Sequence, residues 1–176
     1  MTESFPLTSS GSEWAGFTDA VMGGVSTGIC TRETINGRIC NLMKGKVSLY
    51  NNGGFIQMAT SLSTNPAISL TVDASKFDGV ELDVLYKGDE DEERFNIHIR
   101  NRACFRYDSS YRGTFSVKND NVWETVRIPF SEFVGYGPGS SEIPFDTSEL
   151  GRLGIVAIGK QMDVFLAIAG VRFYQD

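Results

Sequence analysis

Long apolar runs are missing from this sequence, and a membrane-spanning helix, which needs about 20 apolar residues in a row, is excluded on that ground. Basic charge is also scarce, with 16 Lys and Arg against 22 Asp and Glu and a net charge of −6. Without a basic stripe to neutralise phosphates, nucleic acid is disfavoured as a partner, and so is an anionic membrane surface. The charge reads as solubility. Histidine occurs once, at His98, and cysteine only at Cys30, Cys40 and Cys104, an odd count with no Cys-x-x-Cys spacing. That argues against both a disulfide framework and a zinc site. Reduced thiols in or near a core imply a reducing, intracellular compartment, here the cytoplasm. The stretch Met1-Thr2-Glu3-Ser4-Phe5-Pro6 shows neither a signal-peptide nor a transit-peptide pattern, and no Asn-x-Ser/Thr sequon occurs. Helical periodicity is almost absent, as are internal repeats and linkers.

What is present is organised around residues 17–58, where two glycine-pair turns, Met22-Gly23-Gly24-Val25-Ser26 and Asn51-Asn52-Gly53-Gly54-Phe55, flank strand-like sequence. Gly-Gly and Asn-Gly pairs supply positive φ and let a backbone approach something closely, so these corners mark fold-defining bends or one lip of a binding site. Gly24 and Gly53 are expected to need backbone angles that a side chain resists. Period-two runs recur at 24–32, 37–50, 54–60, 67–73, 79–87, 94–100, 103–108, 112–118, 122–129, 152–159 and 163–174, separated by turns such as Asn36-Gly37 and Asp78-Gly79. Spacing of that order predicts an all-β sandwich. Short helical turns are expected near 129–133 and 148–150. The apolar runs 153–158 and 164–168 read as central strands covered on both faces. The Ser/Thr-rich residues 1–12 read as a flexible tail, and 13–176 as a single β-sandwich domain of a size that can bury a substantial core.

Several of these stretches carry a resemblance: Trp14, residues 19–26, 45–49 and 51–55, and Trp123 with the residues up to Phe130. In this order they resemble the complex I intermediate-associated protein 30 family, over about Trp14 to Tyr174. The resemblance implies a jelly-roll sandwich of two antiparallel sheets, galactose-binding-domain-like. In mitochondrial members it implies a role in assembling respiratory complex I through protein contacts, without known catalysis. Some relatives carry the domain beside a dinucleotide-binding domain, which is not seen here. Where family members tend to have Gly-Asp-Gly followed by basic residues, this chain has Gly88 and the five acids 89–93. The acids lack the spacing and central glycine of an EF-hand, so they read as an exposed hairpin loop and no metal is assigned.

Gly24-Val25-Ser26-Thr27-Gly28 matches the Gly-x-Ser-x-Gly nucleophile elbow, with His98 and acids downstream. The elbow needs a helix directly after the serine, whereas 27–31 reads as strand, so a turn serine satisfying nearby backbone is favoured. The same glycines match neither phosphate-loop nor dinucleotide spacing, and no cofactor is implied. A stronger candidate comes from the pleat of 95–100, which puts Phe95, Ile97 and Ile99 on one face and Asn96, His98 and Arg100 on the other. Glu81, Asp83, Thr125 and Arg127 are expected to extend that polar surface, with Tyr107 and Tyr111 near the hairpin. Such a surface suits a hydroxyl-rich ligand or a peptide edge. A solvated face with weak ion pairs is the plainer reading, and His98 is expected to be a hydrogen-bonded sheet residue.

The candidate binding residues are therefore Asp19, Met22, Gly23, Gly24, Ser26, Asn51, Asn52, Asn96, His98, Arg100 and Arg127, with no catalytic or metal-ligating residue. Three function classes follow, in this order. The first is a non-catalytic assembly factor or chaperone whose partners are protein subunits or assembly intermediates of a membrane complex, without membrane insertion of its own. The second is a carbohydrate- or small-ligand-binding module, which makes a glycan a partner. The last is a serine hydrolase using Ser26.

Overall fold

The computed structural model describes residues 14–63 and 67–176. The expected tail at 1–12 lies outside the described residues. Eleven strands are formed among the described residues: β1 (Ala15–Thr18), β2 (Thr27–Ile35), β3 (Arg38–Val47), β4 (Phe55–Ser61), β5 (Gly79–Tyr86), β6 (Glu92–Arg100), β7 (Ser110–Lys118), β8 (Glu124–Pro129), β9 (Val134–Tyr136), β10 (Arg152–Ile158) and β11 (Met162–Tyr174). They build two antiparallel sheets, six-stranded β1-β4-β10-β6-β7-β9 and five-stranded β2-β3-β11-β5-β8. This is the all-β jelly-roll sandwich expected from the sequence. Short 3-10 turns occur at Phe130–Glu132 and Thr147–Glu149, where brief helical turns were expected, and also at Asp19–Met22 and Tyr50–Asn52.

Period-two sequence explains the interior. Val80, Leu82 and Val84 of β5 face Phe95, Ile97 and Ile99 of β6 across a core that also takes Leu153 and Ile155 from β10 and Leu166 and Ile168 from β11, all buried. The β10 and β11 runs are the expected central strands. A bulge in β11 deserves its residues: Ile168 pairs with Val84 and Gly170 with Asp83, leaving Ala169 as the extra residue. One added residue reverses the side-chain alternation. Val171 and Phe173 thus return to the core while Arg172 turns outward. Gly170 sits where a Cβ would press on the Asp83 carboxylate.

Two expected strands do not form. Residues 67–73 contribute only the single bridge Val72 to Leu150, and 103–108 are turn. In the second case the side chain of Arg100 binds the carbonyls of Cys104, Arg106 and Tyr107, so these carbonyls are taken by a side chain and not by a neighbouring strand. The short strands β1 and β9 were not foreseen; both lie at sheet edges and are too brief for a visible alternation.

The glycine corners are joined by a buried carboxylate. Asp19 Oδ1 accepts from the Ser26 backbone N–H at 2.9 Å. Its Oδ2 accepts from Ser26 Oγ at 2.5 Å, from the Gly54 N–H at 2.5 Å and from the Phe55 N–H at 3.4 Å. Positive φ falls on Gly23 (85°), Asn51 (59°), Asn52 (56°) and Gly54 (133°). Gly24 and Gly53 are needed for a different reason than the one expected: each backs directly onto Asp19, and a Cβ at either would collide with its carboxylate. Burial opposes ionisation of Asp19, but the four hydrogen bonds outweigh it and its pKa is lowered.

On the outer face of the five-stranded sheet, Asp83 accepts from Arg38 (2.8 Å), Arg172 (2.9 Å) and Thr125 (2.8 Å), and Glu81 from Arg127 (2.6 Å) and Arg172 (2.5 Å). Burial opposes the charge on Asp83, yet the bonds from Arg172, Arg38 and Thr125 hold its pKa well below the usual carboxylate range.

Two outcomes follow from these carboxylates. Asp19→Asn places an amide N–H among backbone donors and is expected to cost roughly 2–4 kcal/mol in urea denaturation; an unchanged midpoint would remove Asp19 from its structural role. Because Asp19 and Asp83 are both lowered on folding, their stabilisation is fully present above the unfolded carboxylate pKa of about 3.9 and is lost as pH falls below it. The urea midpoint should drop with acidification from there, and less steeply in Asp83→Asn, whose remaining slope then comes from the other carboxylates; identical slopes would contradict the assignment.

Candidate functional site

The outward face of the six-stranded sheet is built by four strands in register. His98 of β6 stands opposite Arg112 of β7 on one side and Gly154 of β10 on the other, and Arg100 stands opposite Arg152. Gly154 is flanked by β4, and a Cβ there would collide with the amide of Gln57, which lies across the sheet at this point. The missing side chain leaves a concave floor. A cleft of about 450 Å³ lies over it. Its walls are the first glycine corner with Val21 and Met22, the second with Asn52 and Phe55, and on the far side Tyr107 and Tyr136.

Three arginines line this cleft. Arg100 donates to the carbonyls of Arg106 (2.7 Å), Cys104 (3.3 Å) and Tyr107, and so pins the loop after β6. Arg112 Nε donates to Ser110 Oγ at 3.2 Å, and its guanidinium lies 3.5 Å from the Tyr136 ring centre. Arg152 lies over Phe17 at 5.1 Å. Among the described residues, none of the three forms an ion pair with a carboxylate. Desolvation lowers the pKa of Arg112, with Tyr136 and Asp108 acting the other way; desolvation and then the charge of Arg100 lower that of Arg152. Asp108, the acid at the cleft, pairs with Arg106 at 3.4 Å. His98 is lowered to about 3, first by burial and then by Arg112, so it is neutral at physiological pH. Its buried Nε2 has no hydrogen-bond partner among the described residues, contrary to the bonded histidine expected from sequence.

The structure brings together four of the sequence candidates, Met22, Asn52, His98 and Arg100, in this cleft. Gly23 and Asn51 lie beside it, where Asn51 Nδ2 donates to the Gly23 carbonyl at 3.4 Å and joins the two corners. Asp19, Gly24 and Ser26 form the support behind the wall, with Asp19 and Ser26 buried. Asn96 faces outward and accepts from Thr114 Oγ1 at 2.8 Å, outside the cleft. Arg127 is elsewhere: β8 belongs to the five-stranded sheet, where Arg127 binds Glu81 and Asp176, so residues 81, 83, 125 and 127 do not extend the β6 face. Tyr111 points inward and donates to the Ile143 carbonyl at 2.7 Å, so of the two expected tyrosines Tyr107 is the one at the rim. Gln57, Arg112, Tyr136 and Arg152 were missed. For Arg112 a signal existed, since Ser110, Arg112, Thr114 and Ser116 alternate with Tyr111, Gly113, Phe115 and Val117.

The serine of the elbow-like pattern is committed to structure. Ser26 Oγ donates to Asp19 and accepts from the Ser48 N–H at 2.9 Å, and strand β2, not a helix, begins at the next residue. The strained strand-to-helix turn that exposes such a nucleophile is not formed. Among the described residues, no group of three or more His, Cys, Asp or Glu is placed to hold a metal ion, and no helix is long and apolar enough to cross a membrane. Cys30, Cys40 and Cys104 are all free thiols.

Comparison with solved structures finds the same sandwich in carbohydrate-binding modules. A family 11 module from Clostridium thermocellum, solved with a β-1,3-1,4-mixed-linked tetrasaccharide, is 14% identical with a TM-score of 0.68, covering 92% of this chain and 88% of that one. A family 30 carbohydrate-binding module is 21% identical with a TM-score of 0.52, covering 84% of this chain and 83% of that one. An exo-β-agarase is 9% identical with a TM-score of 0.56 over 93% of this chain and 23% of its own. At these identities the likeness is one of fold. Comparison with the curated proteins gave no match. The model of the complex I intermediate-associated protein 30 family matches residues 4–167, most of the sequence, and the chain belongs to that family.

Proposed function

We propose that this chain is a non-catalytic binding protein that serves as an assembly factor for respiratory complex I (NADH:ubiquinone oxidoreductase), holding subunits or assembly intermediates through protein–protein contacts. The observation that carries the reading is the family match across residues 4–167. Two features of the site support it. The only hydroxyl placed in a nucleophile-like pattern, Ser26, is buried and hydrogen-bonded to Asp19. The cleft offers guanidinium groups and an apolar rim, which suit contact with a polypeptide. Residues 13–176 act as one β-sandwich domain in the cytoplasm, with the contact surface formed by the cleft and the two glycine corners.

A second reading, a module for a carbohydrate or other small ligand, is favoured by the position of the cleft on a sheet face of a sandwich shared with carbohydrate-binding modules. Hydroxyl-rich ligands use paired donors and acceptors together with open aromatic faces. This cleft is rich in donors, and Arg112 and Arg152 each cover a face of a flanking ring.

Affinity capture of the tagged protein from its native cell, read by mass spectrometry, separates the readings. Complex I subunits or intermediates should be enriched with the wild-type chain. Capture should persist in Ser26→Ala wherever that variant remains folded, and fall in Arg100→Glu. The second variant also releases the loop at 104–107, so its melting temperature must be measured in parallel. Saturable binding of a neutral glucan with no enrichment of those subunits would replace the assembly reading with the second one. Turnover of an ester or glycoside that disappears in Ser26→Ala would overturn both.

A further inference from the structure

Charge on this molecule is distributed against its average. The chain carries a net charge of −6, and Arg38, Arg127 and Arg172 on the outer face of the five-stranded sheet are matched with carboxylates. On the opposite sheet, Arg100, Arg112 and Arg152 share one cleft, without a carboxylate partner among the described residues. Asp108, the one acid lining it among the described residues, is engaged by Arg106. Like charges in one concavity repel, and a cleft focuses the field. The cations are held by carbonyls and aromatic faces, which fix their positions without cancelling their charge. At the floor, the buried Nε2 of neutral His98 lacks a hydrogen-bond partner among the described residues; buried polar groups are almost always bonded.

One wall of the same cleft is apolar. Val21 and Met22 are 73% and 51% exposed, large values for side chains of this kind, and Phe55 lies beside them. The cleft therefore combines a cationic floor with an exposed apolar rim on an acidic protein.

We infer that the cleft is a recognition site for an acidic, apolar-containing peptide segment of a partner protein, with side-chain carboxylates on Arg112 and Arg152 beside His98 and apolar side chains against Val21, Met22 and Phe55. This rests on the binding-protein reading and adds the chemistry of the partner. Arginine presents a planar fork that matches a carboxylate in two-point contact. A neutral saccharide would leave the guanidinium charges uncompensated. An anionic saccharide would meet the charges but leave the apolar rim unused.

The test is fluorescence anisotropy with a labelled peptide of alternating glutamate and leucine, its glutamine–leucine counterpart and an oligogalacturonate. The wild-type protein should bind the acidic peptide, more weakly as salt is added, and should not bind the glutamine peptide. Arg152→Glu, at an exposed position, should lose about tenfold or more in affinity while melting with the parent. Should that variant unfold, Arg112→Lys, which keeps the charge but loses the fork, must show the same direction of loss. Equal binding of both peptides, no binding of the acidic one, or tighter binding of the oligogalacturonate overturns the inference. Running the cellular capture with Arg152→Glu separates the two levels. Subunits captured equally by variant and wild type leave the assembly role standing without this cleft; no capture by the wild type removes the role whatever the peptide does.

Discussion

A single buried carboxylate holds the two corners of this fold together. Asp19 stands at the end of β1, and its four acceptor contacts reach Ser26 at the start of β2 and Gly54 and Phe55 at the start of β4. An ionised carboxylate taken from water without partners would cost many kcal/mol, so the side chain is tolerable only because backbone N–H groups and a hydroxyl surround it. The same requirement fixes the neighbours. Gly24 and Gly53 must lack side chains because the carboxylate occupies that space, and Ser26 must bring its hydroxyl. Val21, Met22, Asn52 and Phe55 are sequence neighbours of these contacts, so one wall of the cleft inherits its position from Asp19.

The two outer sheet faces treat charge in opposite ways. On the five-stranded sheet, Glu81 and Asp83 lie in a lattice of Arg38, Arg127 and Arg172, and the β11 bulge exists in step with it, because it turns Arg172 outward. Beside that lattice Leu42, Leu85 and Ala167 are covered by Trp123 and Phe165, with the Trp123 indole N–H on the Ile35 carbonyl at 3.1 Å. On this face Glu81 and Asp83 are each paired with arginines. Among the described residues, the six-stranded sheet leaves Arg100, Arg112 and Arg152 without carboxylate partners and His98 Nε2 without a bond. Stability favours the first arrangement, and the second is what a binding surface retains.

The division between what could and could not be read from sequence follows from range. Alternation within one strand is local, so most strands, the core residues and the outward set Asn96, His98 and Arg100 were legible, as was the pairing of glycine turns. Sheet membership is not local. Arg127 reads like Arg100 in its own strand, yet β5 and β8 lie across the core from β6. Gly24 and Gly53 were recognised as constrained, but the cause, a carboxylate several residues away in one case and more than thirty in the other, was invisible to turn chemistry. Arg152 and Gly154 were hidden by their setting, because the run from Leu153 reads as uniformly apolar and hides which of its positions face the cleft. Residues 67–73 and 103–108 have strand-like composition, yet the first makes a single bridge, Val72 to Leu150, and the second gives its carbonyls to Arg100.

The cleft's composition also explains why its cations are arginines. A lysine ammonium is compact and strongly hydrated, and three of them facing one concavity would be driven toward neutral forms or outward into water. Guanidinium spreads its charge, lies on the rings of Tyr136 and Phe17 and bridges several carbonyls at once, so it stays charged even where desolvation and a like-charged neighbour lower its pKa. His98 cannot add to that charge at physiological pH, since burial and Arg112 keep it neutral. The field at the floor is therefore set by groups that do not titrate in the physiological range. Its strength toward an approaching carboxylate is fixed by geometry and ionic strength; carbonyls, Ser110 and the rings of Tyr136 and Phe17 place the three guanidinium groups, and Asp19 holds the wall beside them.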